Sequence, residues 1–404
     1  MAAEAFTLEE VAARAGVPGQ RLRELVDLGI LTPRSDGAFH VGDVRRARII
    51  EAVFEAGMPL EALAEGFRRG VLNLEFVDSP EYDRFPQLSE ETFGQVSERT
   101  GVPFNLLAVI RETGGFPSPS IDDHIREDEL RVLPFVELQV RLGFDHVAIE
   151  RLLRAEGDSL RRIAEAEAEW WRLQVAGPRL DAGQSGISVA AVDVSAALNH
   201  ASEAALLAIW NAQQARTWTM NIVTGFEYLL KREGLYHAEE RPPAICFLDV
   251  TGYTRLTQER GDRAAAELAE SLARLVQRTS ADHAGRPVKW LGDGVMFFFR
   301  DPAQGVLAAL DMVDGVVAAG LPPAHVGLHA GPVVVQEGDY YGQTVNIAAR
   351  IADYARPGEV LVSKAVVDAA PLATLVFDDI GDVELKGVTG VVHLAAARRT
   401  GSAG

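Results

Sequence analysis

The chain has 404 residues, a formal net charge of −19 at pH 7, 48% hydrophobic and 24% charged residues, the composition of a globular protein with length for about two to four domains. The acidity argues against general binding of polyanions, and Cys246, the single cysteine, excludes an intrachain disulfide and a cysteine-rich zinc site. No run of about 18 uncharged apolar residues offers a membrane span, and "MAAEAFTLEE" has acids where a signal peptide needs a basic segment, so a cytoplasmic protein with no membrane partner is expected.

The N-terminal part reads as mainly helical and repeats itself. "VAARAGVPGQRLRELVDLGIL" (11–31) returns as "VSERTGVPFNLLAVIRETGGF" (96–116), an offset of 85. Each copy runs helix, Gly-Val-Pro turn, second helix, with apolar pairs such as Leu22 and Leu25, or Leu107 and Ile110, at helical spacing. A further helical pair follows each copy, at 41–67 and 127–153. Helix-turn-helix is the natural reading, and two copies imply a tandem pair. The first copy, with "TPRSDGAFH" as a short hairpin-like segment, resembles the winged helix-turn-helix of the MerR family. The second keeps that outline but has "FPSPSIDD" where the wing belongs. We therefore expect a MerR-like module at 1–75 and a second, degenerate one at 88–175. In that family the module binds DNA. Here residues 1–70 hold nine arginines (Arg14, Arg21, Arg23, Arg34, Arg45, Arg46, Arg48, Arg68 and Arg69), no lysine and eleven acids. Phosphate contacts dominate DNA affinity, so a near-neutral module points first to regulation or dimerisation, and DNA is the lesser expectation.

Residues 178–196 read as a connector. A Pro-free helix is expected over 197–234, with Leu206, Trp210, Gln213, Thr217 and Met220 forming one stripe and Trp218, Ile222, Phe226 and Leu229 a second. Such a helix is either packed within one domain or pairs with a second copy as a signalling and dimerisation stalk, and the alternating steps of four and three favour the stalk. From 241 to 397 strands alternate with helices: "AICFLDV", a helix across 260–281, the hairpin "VKWLGDGVMFFF", a helix across 303–319, "AHVGLHAGPVVVQ", a helix near 344–355, "EVLVSK" and a closing pair of short strands. This pattern predicts a mostly antiparallel sheet with helices on one face.

Several polar residues interrupt these apolar runs. Asp249 ends a buried strand ahead of a turn that suits a helix N-terminus, and Asp293 sits in a Gly-Asp-Gly hairpin turn. Each alone is first of all a turn residue; together, two carboxylates from separate turns can share divalent metal ions. Asn346 and Arg350 are four apart on one helix face, where a stacked amide and guanidinium can orient a hydroxyl and clamp a phosphate. His325 and His329 alternate on a strand with no carboxylate or cysteine pattern around them, and read as packed or surface histidines.

Residues 244–397 resemble the catalytic domain of class III nucleotidyl cyclases, through "FLDVTGYTRL", "VKWLGDGVM", "VGLHAGPVV" and "YYGQTVNIAAR". The resemblance implies an α+β ferredoxin-like cyclase domain, and so a multidomain chain of all-α tandem modules, a long connecting helix and this domain. It implies that Asp249 and Asp293 hold two metal ions, Mg²⁺ or Mn²⁺, in each active site. Lys289 and Asp339 would read the base, Asn346 would orient the ribose and Arg350 would bind the transition-state phosphate. All six carry the residue type of an adenylate cyclase, which makes cyclic AMP and pyrophosphate from ATP. In that family each site takes its aspartates from one chain and its Asn and Arg from the other, which implies a homodimer. The N-terminal modules would then regulate how the halves meet, in response to an unidentified ligand. The competing reading is a DNA-binding regulator that uses a cyclase-like domain as a nucleotide sensor.

Overall fold

The structure, a computed structural model, describes residues 5–78, 87–178, 188–236, 241–292, 294–336 and 338–401. It divides into two compact units, Met1–Tyr228 and Leu229–Gly404. Among the described residues no helix is long and apolar enough to cross a membrane.

In the first unit the repeat is visible cap by cap. Helix α1 (Leu8–Ala15) starts at a capping box: the Glu10 amide donates to Thr7 Oγ1 at 3.2 Å, and the Thr7 amide to Glu10 Oε2 at 2.7 Å. It ends at Gly16, whose φ of 68° suits a residue without a Cβ, and Pro18 leads into α2 (Gly19–Asp27). At the same offset, Thr92 and Gln95 box the start of α5 (Phe93–Thr100), and Gly101 and Pro103 lead into α6 (Phe104–Thr113). Each first pair is followed by a second: α3 (Val41–Glu55) with α4 (Leu60–Arg68), and α7 (Glu127–Arg141) with α8 (His146–Trp171). Each set of four buries its own core, one around Val11, Leu22, Leu25 and Ile50, the other around Phe93, Leu106, Leu107 and Val136.

The segments between pairs differ from expectation. "TPRSDGAFH" forms no two-stranded wing. Its Asp36 carboxylate accepts from the Ala38 amide at 3.1 Å, closing a tight turn, and a single bridge joins Phe39 to Phe6. The second copy is the one with strands, β1 (Leu88–Thr92) pairing antiparallel with β2 (His124–Arg126). Helix α9 (Ser188–Arg232) begins nine residues before the expected start and spans 45 residues, about 67 Å at 1.5 Å per residue.

The second unit is built on a sheet whose strand order among the described residues is β10-β11-β9-β6-β3-β5-β4. Its members are β3 (Ala244–Val250), β4 (Arg286–Leu291), β5 (Gly294–Phe299), β6 (Ala324–Ala330), β9 (Val360–Ser363), β10 (Leu375–Glu384) and β11 (Val391–Arg399). Among the described residues of this sheet, only β6 and β9 run parallel. The closing strands are ten and nine residues long, not short.

Helices cover both faces of this sheet, which corrects the one-faced expectation. On one face Ala244, Cys246, Leu248 and Val250 of β3 pack with α10 (Tyr253–Asp282), α11 (Pro302–Ala318) and α13 (Lys364–Ala369) through Leu272, Val306, Met312 and Val366. On the other, Ile245 and Phe247 pack with Met296, Tyr340 and Ala348, the last from α12 (Gln343–Tyr354). The physical reason lies in β3 itself: "AICFLDV" is apolar at successive positions, as a strand covered on both sides must be. Helix α12 sits very close to the sheet at Gly327, where a Cβ would stand 2.1 Å from the Ala352 nitrogen.

Candidate active site

Asp249 belongs to the same alternating set as Ile245 and Phe247, so it points to the face that carries α12. The sheet register sets Asp249 opposite Gly294 on β5 and opposite His325 on β6. Its Oδ2 lies 3.5 Å from His325 Nε2, with 45% of its side chain exposed. A Cβ at Gly294 would stand 3.2 Å from Asp249 Oδ1; the bare glycine keeps that side of the carboxylate clear. Asp293, the other expected metal ligand, lies outside the described residues, and among the described residues no group of three metal-ligating side chains gathers.

Lys289 pairs in register with Met296, which packs into the α12-side cluster, so Lys289 rises from the same face as Asp249. Its Nζ donates to Asp339 Oδ2 at 2.6 Å and stands 5.7 Å from the centre of the Tyr341 ring. Asp339 opens β8 (Asp339–Tyr341), which pairs with β7 (Val334–Gln336). The next residue anchors that ribbon. Tyr340 stacks on Phe298 with ring centres 4.5 Å apart, and its hydroxyl accepts from Arg286 Nη2 at 2.6 Å. Burial pushes the Asp339 pKa up, but the Lys289 hydrogen bond, the Tyr340 amide at 2.7 Å and the Lys289 charge outweigh it, and the net shift is downward. Asp339 is therefore an ionised acceptor and Lys289 a donor, side by side. A cleft of about 480 Å³ lies next to them, lined by Tyr341, Thr344, His329 and Gly331.

Helix α12 carries the last two expected residues. Thr344, Ile347, Ala348, Ile351 and Ala352 form its buried stripe, against the sheet. Asn346 and Arg350 lie on the opposite flank and are exposed. Arg350 Nη1 donates to Asp353 Oδ2 at 2.5 Å. Thus the structure joins Lys289 to Asp339, sets Asp249 on their face of the sheet, and turns Asn346 and Arg350 away from that sheet.

Sequence reading missed His325. Its signal was register: only pairing of β3 with β6 brings it opposite Asp249. His329 is a packed histidine, as expected. Its Nδ1 contacts Ser363 Oγ at 2.7 Å, and burial lowers its pKa.

A divalent cation suits this donor set. Asp249 offers hard carboxylate oxygens, partly exposed, beside a glycine whose missing side chain leaves space.

Comparison with known proteins finds similarity in the C-terminal part of the chain. Residues 235–395 match the family model of the adenylate and guanylate cyclase catalytic domain. A pH-sensitive adenylate cyclase of Mycobacterium tuberculosis is 34% identical over 176 residues, covering 41% of this chain and 43% of that protein. An adenylate cyclase of Streptomyces griseus is 35% identical over 127 residues, covering 31% and 32%. Among solved structures, the adenylyl cyclase CyaB from P. aeruginosa is similar with a TM-score of 0.34 and 21% identity, over 40% of this chain and 96% of that one. The chain spans less than half the length of these curated relatives. The C-terminal part is a class III adenylate/guanylate cyclase catalytic domain, preceded by a helical N-terminal region.

Proposed function

We propose that the protein is an adenylate cyclase that converts ATP to 3′,5′-cyclic AMP and pyrophosphate at sites shared by two copies of the chain. The observation that carries this reading is the division of the site between two surfaces. Asp249, Lys289 and Asp339 line a sheet face, while Asn346 and Arg350 lie on the flank of α12 opposite its buried stripe. Residues turned away from their own sheet complete a site by meeting the sheet of a second copy. A two-fold pair then has two identical sites.

The base is read by the Lys289–Asp339 pair. Adenine presents N1 as an acceptor and its 6-amino group as a donor, which Lys289 and ionised Asp339 complement. Guanine reverses both partners and leaves two mismatched polar contacts. Relatives bearing the name adenylate cyclase support the same choice. Asn346 would fix the ribose so that its 3′-oxygen faces the α-phosphorus. A P–O bond would form there as the hydroxyl proton passes to water and the bond to the β-phosphate oxygen breaks, pyrophosphate leaving with that electron pair. Arg350 would answer the charge that grows on the α-phosphate, after exchanging Asp353 for phosphate oxygens. Mg²⁺ or Mn²⁺ held by Asp249 and Asp293 would neutralise the triphosphate and lower the pKa of the attacking hydroxyl.

The N-terminal modules are read as regulatory, with DNA binding the weaker alternative. Arginines of the first module are engaged within the chain. Arg21 pairs with Glu24 and Glu51, Arg46 with Asp43 and Asp78, and Arg68 and Arg69 with Glu65, while buried Arg45 donates to the Val77 carbonyl. Few are left to take phosphates. Helix α9 supports the stalk, since Trp210, Trp218, Ile222 and Phe226 are exposed along it.

The deciding experiment is cyclic nucleotide production by the full-length protein from ATP and from GTP with Mg²⁺ or Mn²⁺. Cyclic AMP from ATP is expected, and a verified dimer that makes no cyclic nucleotide sinks the proposal.

A further inference from the structure

We propose that His325 is a positioning residue that holds the Asp249 carboxylate in the orientation that binds a divalent cation. The inference rests on the cyclase reading above and adds a residue outside its set of six. Antiparallel pairing sets His325 directly opposite Asp249, so their Cβ atoms are about 5 Å apart on one face of the sheet. Nε2 of the ring lies 3.5 Å from Asp249 Oδ2. On its other side, Nδ1 lies 3.3 Å from Thr251 Oγ1, and Thr251 is itself fixed by its amide, which donates to the Pro323 carbonyl at 2.9 Å. A Thr251 hydroxyl that donates to Nδ1 leaves the ring proton to Nε2, the nitrogen on the Asp249 side.

Burial differs between the two partners. The imidazole is 13% exposed and the carboxylate 45%, so the ring is the fixed member and the carboxylate the reachable one. Gly294 lies by the other oxygen and crowds nothing. An aspartate at a strand end loses rotamer freedom when it binds an ion, and a neighbour that fixes it beforehand removes part of that cost. Groups that orient a metal ligand in this way affect metal affinity by about 10- to 100-fold.

The test is Mn²⁺ binding to the full-length protein, read as loss of the free-ion electron paramagnetic resonance signal. Thermal unfolding of each variant monitors the fold. His325→Ala is expected to raise the Mn²⁺ dissociation constant by about tenfold. His325→Gln, whose amide N–H can stand where Nε2–H does, is expected to stay within about threefold of wild type. Thr251→Val keeps the imidazole and removes its orienting hydroxyl; it should weaken Mn²⁺ binding too, and it decides the matter if His325→Ala does not fold. Wild-type affinity in His325→Ala or Thr251→Val, or equal weakness in His325→Gln and His325→Ala, overturns the assignment. Asp249→Ala separates this inference from the reading beneath it. If Asp249→Ala loses Mn²⁺ while His325→Ala keeps it, the positioning role alone fails. If Asp249→Ala binds Mn²⁺ like the wild type, the metal reading fails and the role of His325 falls with it.

Discussion

Lys289 and Asp339 hydrogen-bond to each other at 2.6 Å, and each is also the complement of one atom on the edge of adenine. The pair keeps both side chains aimed at one place without a ligand, so little ordering is left for substrate to impose. ATP is accordingly expected to exceed GTP by well over about tenfold in kcat/KM. Lys289→Glu combined with Asp339→Ser should shrink that ratio; equal rates with both nucleotides in the wild type would remove the base-reading role. A second residue-scale prediction concerns His393. Hydrogen bonds to Asp382 at 2.8 Å and Asp379 at 2.6 Å, in that order of effect, raise its pKa. A raised folded pKa means that this clasp across β10 and β11 contributes fully below the unfolded imidazole value, about 6.5, and is lost as pH rises through the folded value. Imidazole NMR titration should find His393 above the ordinary value, and Asp382→Asn should bring it down. An ordinary value in the wild type contradicts the clasp.

At the scale of elements, α9 makes the sharpest prediction. Trp218 and Phe226 are each 63% exposed on this helix, a large apolar surface for a single helix to show to water. If two copies pair along it, Ile222→Glu with Phe226→Glu should shift the full-length protein from dimer to monomer in sedimentation, with helicity kept. A dimer of unchanged strength in that variant removes the stalk. Elements also differ in how far they could be read from residues. The turns between helices in the repeat were legible because Gly-Val-Pro acts locally, whereas the Thr-x-x-Glu and Thr-x-x-Gln boxes at the helix starts, though present in the sequence, went unread. Helix α12 and its Asn-Arg spacing were legible from helical periodicity alone. The second covered face of the sheet was not, since an apolar run such as "AICFLDV" states that a strand is buried without saying what buries it. The Asp249–His325 contact was hidden too, because it exists only through strand register that brings positions 249 and 325 opposite each other.

For the whole molecule, the division of site residues between two surfaces has an arithmetic consequence. Asp249→Ala and Arg350→Ala should each be inactive as homodimers. In a mixed dimer, one site receives both lesions and the other neither. Random pairing makes about half of the dimers mixed, so co-expression should restore about a quarter of wild-type cyclic AMP production. Verified mixed dimers that stay inactive would show that the site is not shared in this way.

Gly327 gives that arrangement its tolerance. With a Cβ there falling 2.1 Å from the Ala352 nitrogen, α12 rests directly on β6 with no side chain as a spacer. The distance from sheet to helix is then set by backbone against backbone, which does not change rotamer or compress. Asn346 and Arg350 ride on the outer side of that helix, so their height above the sheet is fixed by the thickness of two main chains. In the two-fold pair proposed above, any error in that height would be delivered to the partner's nucleotide, and the partner's error returned. A single added methyl at position 327 would therefore detune both sites at once, from a residue that touches neither substrate nor ion.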